Sequence, residues 1–269
     1  MPVDIEARVI RNTRLSPDYN VLALEAPAIA AATRPGQFVM IRPGHDLDPL
    51  LRRPFSIFEV LHDEAGRPTG VSILSKRIGV STRKIFDTAP DSRIACLGPL
   101  GRPFSVPAAG AVWMVAGGVG LAPFWTVAAA LAPRGVALTL FYGGRTAHDL
   151  YYLEYFESLG VRLVLATEDG SRGERGRVTV PLARALESAP AGGGVLLQAC
   201  GPEPMLAAVA RLAARHGCPC EVSVERIMGC GLGGCYSCVV PVRTPAGGAH
   251  HVRSCIEGPV FDAATLVWE

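Results

Sequence analysis

The chain has 269 residues, of which 49% are apolar, and its 26 Lys and Arg residues nearly balance 24 Asp and Glu residues. This length exceeds that of a typical single domain, so we expect two domains and a small appendage. The formal net charge of +2, with no run of Lys and Arg, argues against a nucleic-acid-binding surface. Four of the eight cysteines are scattered, which favours a protein of the reducing cytoplasm over a disulfide-bonded one.

One charge-free stretch, residues 103–133, is long enough to require a membrane test. Gly117, Gly118, Gly120 and Pro123 interrupt its middle, and such a break in contact with lipid would leave backbone groups without hydrogen bonds. A buried strand, a glycine turn and a packed helix therefore explain it better than a membrane span. The first residues, MPVDIEARVI, are partly acidic and contain no continuous apolar segment, so no secretory signal is expected.

Residues 5–100 contain six short segments that are rich in Val, Ile and Phe, as β-strands are. They are IEARVI, NVLALEA, FVMIRP, FSIFEV, GVSILSK and SRIACLG. Proline and glycine punctuate the stretches between them, and a short helix is expected at 82–88. Closely spaced strands with few helices predict an antiparallel β-barrel or sandwich.

The segment RRPFSI, residues 52–57, stands out within this region. Arg53 suits a diphosphate because its planar guanidinium donates to two oxygens at once. Along a strand, Phe55 would lie on the same face as Arg53, and Ser56 would lie on the opposite face. This arrangement would place one side chain near a planar ring and a hydroxyl near the ring edge. A solvated arginine pair before an ordinary strand is an equally good interpretation of this segment alone.

A second candidate anion site is the segment LSKRIGVST, residues 74–82. It ends a strand and opens a helix, with Ser81 and Thr82 near the N-cap, where free N–H groups bind anions. Capped helices are common, so this segment alone carries little weight. Two anion sites in one barrel together indicate a long diphosphate ligand.

From about residue 110 the pattern changes to alternating strands and helices. Near-continuous apolar strands are predicted at VWMVA, LTLFY, RLVLAT, VLLQAC and CEVSVE, as in a parallel sheet that is buried on both faces. Helical runs lie between them near 123–132, 147–158, 179–188 and 203–216. This pattern predicts a doubly wound α/β domain, whose ligands bind at the carboxyl ends of the strands.

Two glycine-containing turns follow strands of this domain at positions suited to a nucleotide. GGVGLAP (117–123) opens the first helix, where a phosphate-cradling turn is expected, although it is not the full G-x-G-x-x-G fingerprint. CGPEPM (200–205) follows the fourth strand, and its glycine lets a ligand approach the backbone. The candidate nucleotide-binding residues of these turns are Gly117, Gly118, Gly120, Gly201 and Pro202.

Cys200 and Arg145 bear on the two ends of such a nucleotide. Cys200 is either a small core residue or, at a strand end, a contact for the nicotinamide, and we expect the contact. Arg145 follows the second strand, where an arginine could bind the 2′-phosphate of NADP. No acidic residue stands immediately there to bind the free ribose 2′-hydroxyl of NAD. These residues therefore leave the choice between NAD and NADP open.

The most specific motif is the run CGLGGCYSC (230–238), which is followed by another cysteine after a further sixteen residues. This C-x4-C-x2-C…C pattern is the plant-type ferredoxin spacing for a [2Fe-2S] cluster. Its glycines allow the tight backbone curl that brings three thiolates to one side of a small metal centre. A structural zinc site is the alternative, but such sites usually present paired C-x2-C knuckles. The predicted metal ligands are Cys230, Cys235, Cys238 and Cys255.

Taken together, the motifs of this chain resemble those of the ferredoxin-reductase superfamily over nearly its whole length. They are the R-x-[FY]-S barrel motif, GGVGLAP, CGPEPM and the cysteine run. Within it the chain is most similar to electron-transfer subunits of type B dihydroorotate dehydrogenase, above all in VERIMGCGLGGC, 224–235. The resemblance implies FAD in the barrel, NAD on the α/β domain and a [2Fe-2S] cluster on the four cysteines. The implied FAD-binding residues are Arg53, Pro54, Phe55, Ser56, Leu74, Ser75, Lys76, Ser81 and Thr82. The chain departs from the family at Ser81, where glycine is usual, and after Gly101, where a second glycine is usual.

The resemblance also implies a domain organisation. We expect an FAD-binding β-barrel at 1–104, an NAD-binding α/β domain at 105–225 and a small [2Fe-2S] module at 226–269. Ser56 and Cys200 are the residues expected to take part in catalysis, next to the reacting rings.

The three implied cofactors divide the electron transfer between them. A nicotinamide exchanges hydride, a cluster accepts one electron at a time, and flavin does both, so flavin must stand between them. We expect dihydroorotate to be oxidised by FMN in a separate catalytic subunit, with electrons passing through the cluster and FAD to NAD in pyrimidine biosynthesis. A cytoplasmic heterotetramer with two copies of each subunit is expected, with the glycine-rich cluster loop as the docking surface.

Two other functions fit the sequence. A NAD(P)H-oxidising reductase for a hydrogenase, an oxygenase or a ferredoxin-linked complex would use the same cofactors in the opposite direction. A zinc-stabilised nucleotide-binding regulatory protein would bind zinc on the cysteines and would have no redox activity. The partner subunit distinguishes the first alternative from the favoured function, and the metal content distinguishes the second.

Overall fold

The first part of the chain is a closed six-stranded barrel in the computed structural model, which describes residues 1–44, 49–189, 194–245 and 247–268. Its elements are β1 (Val3–Arg14), β2 (Tyr19–Glu25), α1 (Pro27–Ala32), β3 (Phe38–Arg42), β4 (Arg53–His62), β5 (Pro68–Lys76), α2 (Val80–Asp87) and β6 (Arg93–Leu100). The strands follow the order β1-β2-β5-β4-β3-β6 around the barrel, and every neighbouring pair is antiparallel. The predicted antiparallel barrel is therefore confirmed.

Strand β3 contributes to two different cores. Val39 and Ile41 are fully buried in the core of the barrel. Phe38 and Met40 belong instead to a separate buried cluster together with residues near the C-terminus, because successive side chains of a strand point to opposite faces. As a result, both faces of β3 are buried, and its outer face carries the C-terminal part of the chain.

The second part is a doubly wound α/β domain, as predicted. Its elements are β7 (Ala111–Gly117), α3 (Ala122–Leu131), β8 (Ala137–Gly144), α4 (Leu153–Ser158), β9 (Arg162–Thr167), β10 (Glu174–Arg175), α5 (Thr179–Ser188), β11 (Val195–Cys200), α6 (Glu203–His216) and β12 (Cys220–Ser223). The six strands are parallel, in the order β10-β9-β8-β7-β11-β12. Helices α3 and α4 pack on one face and α5 and α6 on the other, in two separate core clusters.

The C-terminal part begins with a β-hairpin and returns to the α/β domain. Its elements are β13 (Val239–Arg243), β14 (Ala249–Arg253), α7 (Ser254–Glu257) and β15 (Val260–Asp262). Strands β13 and β14 pair with each other, whereas β15 adds to the parallel sheet as an antiparallel edge strand beside β12. The residues around the cysteines are thereby held between the barrel and the sheet. Among the described residues, no helix has the length and apolar character needed to cross a membrane.

One predicted helix is divided in two. The sequence pattern predicts a single helix over 147–158, but the structure has a short 3-10 turn at Ala147–Asp149 and then α4. The amide of Thr146 donates to the Asp149 carboxylate at 3.1 Å, which closes the first turn locally, as capping side chains do. Tyr152 then adopts a left-handed conformation with φ of 58°, which interrupts the helical path.

Aromatic side chains fill the contact between the barrel and the α/β domain. Phe58 of β4 lies with its ring centroid 4.7 Å from Trp125 of α3 and 4.9 Å from Tyr152. Trp125 in turn stacks on Tyr155 of α4. Burial of such rings contributes strongly to packing, so this cluster joins the two domains beside the strand that begins with the RPFS segment.

Candidate functional site

Three cysteines of the C-terminal motif, Cys230, Cys235 and Cys238, lie in the loop between β12 and β13, and the fourth, Cys255, lies in α7. Cys238 and Cys255 are buried, Cys230 is part-buried and Cys235 is exposed. The amide of Ser254 donates to the carbonyl of Cys238 at 3.0 Å, which holds the start of α7 against the loop. The fourth cysteine, distant in sequence, is thereby brought to the other three.

The thiols form two neighbouring pairs, Cys230 with Cys235 and Cys238 with Cys255. Hydrogen bonds from Ser237, and then from Cys230, lower the pKa of the Cys235 thiol to about 6. Burial, and then the neighbouring Cys238 thiol, raise the pKa of Cys255 to about 12. In the described part of the chain, no three His, Cys, Asp or Glu side chains close around one metal ion. The spacing of these four thiols along the chain is the plant-type ferredoxin spacing, which suits a [2Fe-2S] cluster.

The cysteine loop packs directly on the outer face of barrel strands β3 and β6. The buried cluster that forms this contact consists of Phe38, Met40, Leu97, Leu100, Met228, Cys238 and Cys255. At Gly231, φ is +73°, and a Cβ atom there would lie 2.6 Å from Cγ of Met40. Only glycine allows the loop to approach the barrel this closely in this conformation.

The RPFS segment begins β4, the strand that pairs with β3. Residues 53–56 are all part-buried. Across the two strands, Pro54 pairs with Met40 and Ser56 pairs with Phe38. Met40 and Phe38 are the same side chains that pack under the cysteine loop. The candidate flavin segment and the candidate cluster loop are therefore separated by one strand.

The two arginines of this segment differ in their partners. Arg52 donates from one nitrogen to both carboxylate oxygens of Asp4, at 2.8 and 2.9 Å. Arg53 donates through a single terminal nitrogen to the carbonyls of Leu51 and Arg52, at 2.8 and 3.1 Å. An acidic partner thus already compensates Arg52, whereas the guanidinium of Arg53 has N–H groups outside these two bonds that are suited to an anion. Phe55 packs against the barrel core.

The segment LSKRIGVST runs from the end of β5 into α2, as predicted. Ser75 is buried, and its Oγ has no hydrogen-bond partner among the described residues. A buried hydroxyl without a partner is costly, so a ligand that supplies one would fit here. Ser81 is also buried. Thr82 Oγ accepts the amides of Ile78 and Gly79, both at 2.9 Å, so it shapes the turn that precedes the helix.

Lys76 connects this segment to the α/β domain. Its ammonium group lies 3.7 Å from the carboxylate of Asp149, and the Tyr19 hydroxyl donates to the same carboxylate at 2.9 Å. Burial would raise the pKa of Asp149, but the hydrogen bonds from Tyr19 and from the Thr146 amide outweigh it and hold that pKa below its ordinary value. A charged carboxylate therefore joins the two domains beside the candidate diphosphate site.

The two glycine turns of the α/β domain lie against each other. A Cβ atom on Gly120 would lie 2.1 Å from the carbonyl oxygen of Cys200, and one on Gly201 would lie 3.1 Å from the amide nitrogen of Gly117. Gly118 has φ of +54° and would meet nothing within 4 Å. Gly120 is thus required by the contact between the turns, and Gly201 is favoured by its φ of +154°. Gly118 borders open space at the carboxyl end of β7.

Cys200 ends β11, in register with Ala116 of β7 and Ser223 of β12. The residue is part-exposed, but burial of its thiol raises the pKa to about 12. At neutral pH it is therefore a protonated thiol. Such a group suits contact with a planar ring better than proton transfer, and it lies next to the glycine turns as predicted. Arg145, at the end of β8, is exposed.

Three residues of the site were missed in the sequence. Ser237 lies between two predicted ligands, and its Oγ is 3.1 Å from Cys235 Sγ, so its position within the motif was an available signal. Met40 and Asp149 had no comparable signal, since their roles depend on contacts with parts of the chain that are distant in sequence.

The fold and the site together define a ferredoxin-reductase-like oxidoreductase with an iron-sulfur module. They combine a closed barrel, a doubly wound sheet with two glycine turns in contact, and four neighbouring cysteines. The chain is similar to the solved NADH-dependent reduced ferredoxin-NADP oxidoreductase, described in work on flavin-based electron bifurcation. The TM-score is 0.84, with 26% identity over 98% of this chain and 90% of that chain. It also resembles a cytochrome P450 reductase from Amycolatopsis, with a TM-score of 0.66 and 27% identity over 80% of this chain and 66% of that one.

Two family models match the chain: the iron-sulfur cluster binding domain of dihydroorotate dehydrogenase B at residues 225–267, and the oxidoreductase NAD-binding domain at 114–211. The dihydroorotate dehydrogenase B (NAD(+)) electron transfer subunit of Desulforamulus reducens is 35% identical over 98% of both chains. That of Bacillus caldolyticus is 37% identical over 91% of both chains. The chain belongs to the family of dihydroorotate dehydrogenase B electron-transfer subunits. The predicted NAD-linked oxidoreductase with FAD, NAD and a [2Fe-2S] cluster is thereby confirmed.

Proposed function

We propose that this chain passes electrons between an FMN-containing dihydroorotate dehydrogenase subunit and NAD, in pyrimidine biosynthesis. The observation that carries the proposal is the position of the cysteine loop. The loop packs on Met40 of β3, and Met40 pairs with Pro54 of the RPFS segment on β4. A cluster on the cysteines and a flavin on β4 would thus be joined through one strand pair. When bound, flavin supplies exchange of both hydride and single electrons, which neither other cofactor provides.

We infer that the residues singled out in the sequence hold the three cofactors. The flavin residues are Arg53, Pro54, Phe55, Ser56, Leu74, Ser75, Lys76, Ser81 and Thr82. The nicotinamide residues are Gly117, Gly118, Gly120, Cys200, Gly201 and Pro202. The cluster ligands are Cys230, Cys235, Cys238 and Cys255. We further infer the domain boundaries 1–104, 105–225 and 226–269, and a cytoplasmic location for the protein.

Within the flavin site, each residue has a definite part in this proposal. Arg53 donates N–H groups to the cofactor diphosphate, and the buried Ser75 hydroxyl gains the hydrogen-bond partner that it lacks among the described residues. Lys76 supplies positive charge while Asp149 limits the positions of its ammonium group. Ser56, part-buried on β4, presents its hydroxyl at the ring edge.

Within the nicotinamide site, the chain contributes shape rather than charge. Gly118 borders open space, where a nucleotide can approach the backbone closely. Cys200 presents a neutral thiol, because burial keeps its pKa far above neutral pH. We infer that it contacts the nicotinamide ring and does not exchange a proton with it.

The partner subunit docks, in this proposal, on an exposed apolar surface around the cysteine loop. This surface consists of Leu51, Ile227, Leu232, Tyr236 and Ile256, with exposed fractions of 53%, 85%, 56%, 63% and 44%. Leu51 borders Gly229, and Ile256 borders Gly233 of the loop. Exposed large apolar side chains that are grouped in this way mark protein interaction sites. Docking here would place the partner beside the exposed Cys235, in a heterotetramer with two copies of each subunit.

The proposal is tested by purifying the chain from its native cell with whatever binds to it. An FMN-containing subunit that oxidises dihydroorotate with NAD is expected in the complex. Leu232→Asp should release this partner, whereas Val180→Asp, at a 49% exposed position on α5, should retain it. Recovery of a hydrogenase or an oxygenase in place of the dihydroorotate dehydrogenase would overturn the proposed function.

A further inference from the structure

Ser237 lies between two cysteines of the loop and contacts one of them. Its Oγ accepts the amide of Gly229 at 3.0 Å and lies 3.1 Å from Sγ of Cys235. A cysteine that binds iron is a thiolate and has no proton to donate. In the loaded protein, the hydroxyl proton of Ser237 is therefore the only proton available to this contact, and the serine donates to the sulfur.

The orientation of this hydroxyl is fixed from both sides. The Gly229 amide occupies a lone pair of the serine oxygen, which leaves the serine proton free to point toward Cys235. Other cysteines of the loop accept hydrogen bonds from the main chain, as Cys230 does from Leu232 at 3.3 Å. The donor of Ser237 belongs to a side chain, so a substitution removes it and keeps every main-chain donor to sulfur. The same substitution also removes the acceptor of the Gly229 amide.

We propose that Ser237 raises the reduction potential of the [2Fe-2S] cluster through this hydrogen bond. The inference rests on the proposed function, since it requires a cluster on the four cysteines. Hydrogen bonds to the sulfurs are among the factors that set the potential of such clusters. One-electron reduction adds a negative charge that is shared with the ligand sulfurs, and no bond forms or breaks. A donor at Cys235 stabilises this added charge, so it favours the reduced cluster.

Cys235 is also the ligand on the solvent-exposed side of the loop, beside the apolar surface proposed to receive the partner. The hydrogen bond therefore acts on the side of the cluster where electrons would cross between the subunits. A higher potential makes the cluster a better acceptor toward the partner. Ser237 is thus a tuning residue for electron transfer rather than a catalytic one, since it does not contact the substrate.

The test compares Ser237→Thr with Ser237→Val in the anaerobically purified holo-protein. Threonine keeps the hydroxyl, and valine has nearly the same shape without it. Redox titration followed by the electron paramagnetic resonance signal of the reduced cluster gives the potential of each variant. Loss of the hydrogen bond is expected to shift the equilibrium about tenfold toward the oxidised cluster, which is about 59 mV for a one-electron couple. The threonine variant should stay close to the wild-type protein.

Equal potentials in the threonine and valine variants would overturn the inference. A second result would also overturn it: the Ser237→Val and Ser237→Ala variants lose the cluster, whereas the Ser237→Thr variant retains it. The hydroxyl would then hold the loop in place rather than tune the potential. Iron and acid-labile sulfide are measured in each preparation. Absence of both from the wild-type protein would contradict the proposed function itself, a result distinct from a cluster whose potential is unchanged.

Discussion

Gly231→Ala tests the contact between the cysteine loop and the barrel. Gly231 has φ of +73°, and an added Cβ would lie 2.6 Å from Cγ of Met40 and 3.0 Å from Cδ1 of Leu100. A left-handed conformation costs an L-residue about 1–2 kcal/mol, and overpacking of a core costs about 1–3 kcal/mol. Met40 is fully buried, and the clash is near the root of its side chain, so it has little room to move aside. We expect a loss of about 2–5 kcal/mol in the free energy of unfolding.

Gly234→Ala is the matched control, since Gly234 lies in the same loop and an added Cβ there would meet nothing within 4 Å. Chemical denaturation followed by circular dichroism gives the stability of both variants, and iron per chain gives the retention of the cluster. Gly231→Ala should be less stable and should hold less iron, whereas Gly234→Ala should resemble the wild-type protein. Equal stability and equal iron content in the two variants would refute the packing of the loop on β3.

Three further predictions concern the other sites. Gly120→Ala should lower the free energy of unfolding by about 3 kcal/mol or more, because the added Cβ would lie 2.1 Å from the backbone oxygen of Cys200. Thermal unfolding measures this loss, and an unchanged melting temperature would contradict the contact between the two turns. Ser75→Ala should change the free energy of unfolding of the apo-protein by no more than about 1 kcal/mol, because Oγ has no hydrogen-bond partner among the described residues. It should nevertheless weaken flavin retention, measured by equilibrium dialysis. Unchanged retention would show that Ser75 is not part of the flavin site. Asp149→Asn should cost about 1–3 kcal/mol at pH 7, through the lost charge on the acceptor of the Tyr19 hydroxyl. The folded-state pKa of Asp149 is lowered, so the wild-type protein should exceed the variant in free energy of unfolding by the whole amount above about pH 4, and by progressively less as the pH falls further. A stability difference that persists at low pH would show that the charge is not involved.

Much of the fold follows from local pattern. The apolar segments RLVLAT and VLLQAC coincide with β9 and β11, and the helices at 179–188 and 203–216 coincide with α5 and α6. Their periodicity is strong because each element buries a complete face or strand. The elements that were missed are short. Helix α1 begins at Pro27, and a proline there is compatible with either a turn or the first helical residue. Only the burial of Ile29 against the barrel decides between them.

The candidate site divides in the same way. Cysteine spacing is a local property of the chain, so the sequence predicts the four ligands and their cluster type. The contact of Met40 with the loop depends on which face of β3 is turned outward, and the packing of the rest of the chain decides that. Asp149 meets Tyr19 across 130 positions of sequence, and neither residue type indicates this contact in advance. Interactions of this kind appear only once the barrel and the α/β domain are assembled.

The most direct test of the account is an anaerobic titration of the purified chain with NADH, followed by visible absorption and electron paramagnetic resonance. NADH should bleach a bound flavin, and the signal of a reduced [2Fe-2S] cluster should then develop in the same molecule. Flavin that is reduced beside a cluster that stays oxidised, in a chain that holds both, would contradict the connection through β3 and β4. A preparation with zinc on the cysteines and no acid-labile sulfide would contradict the assignment of the cluster.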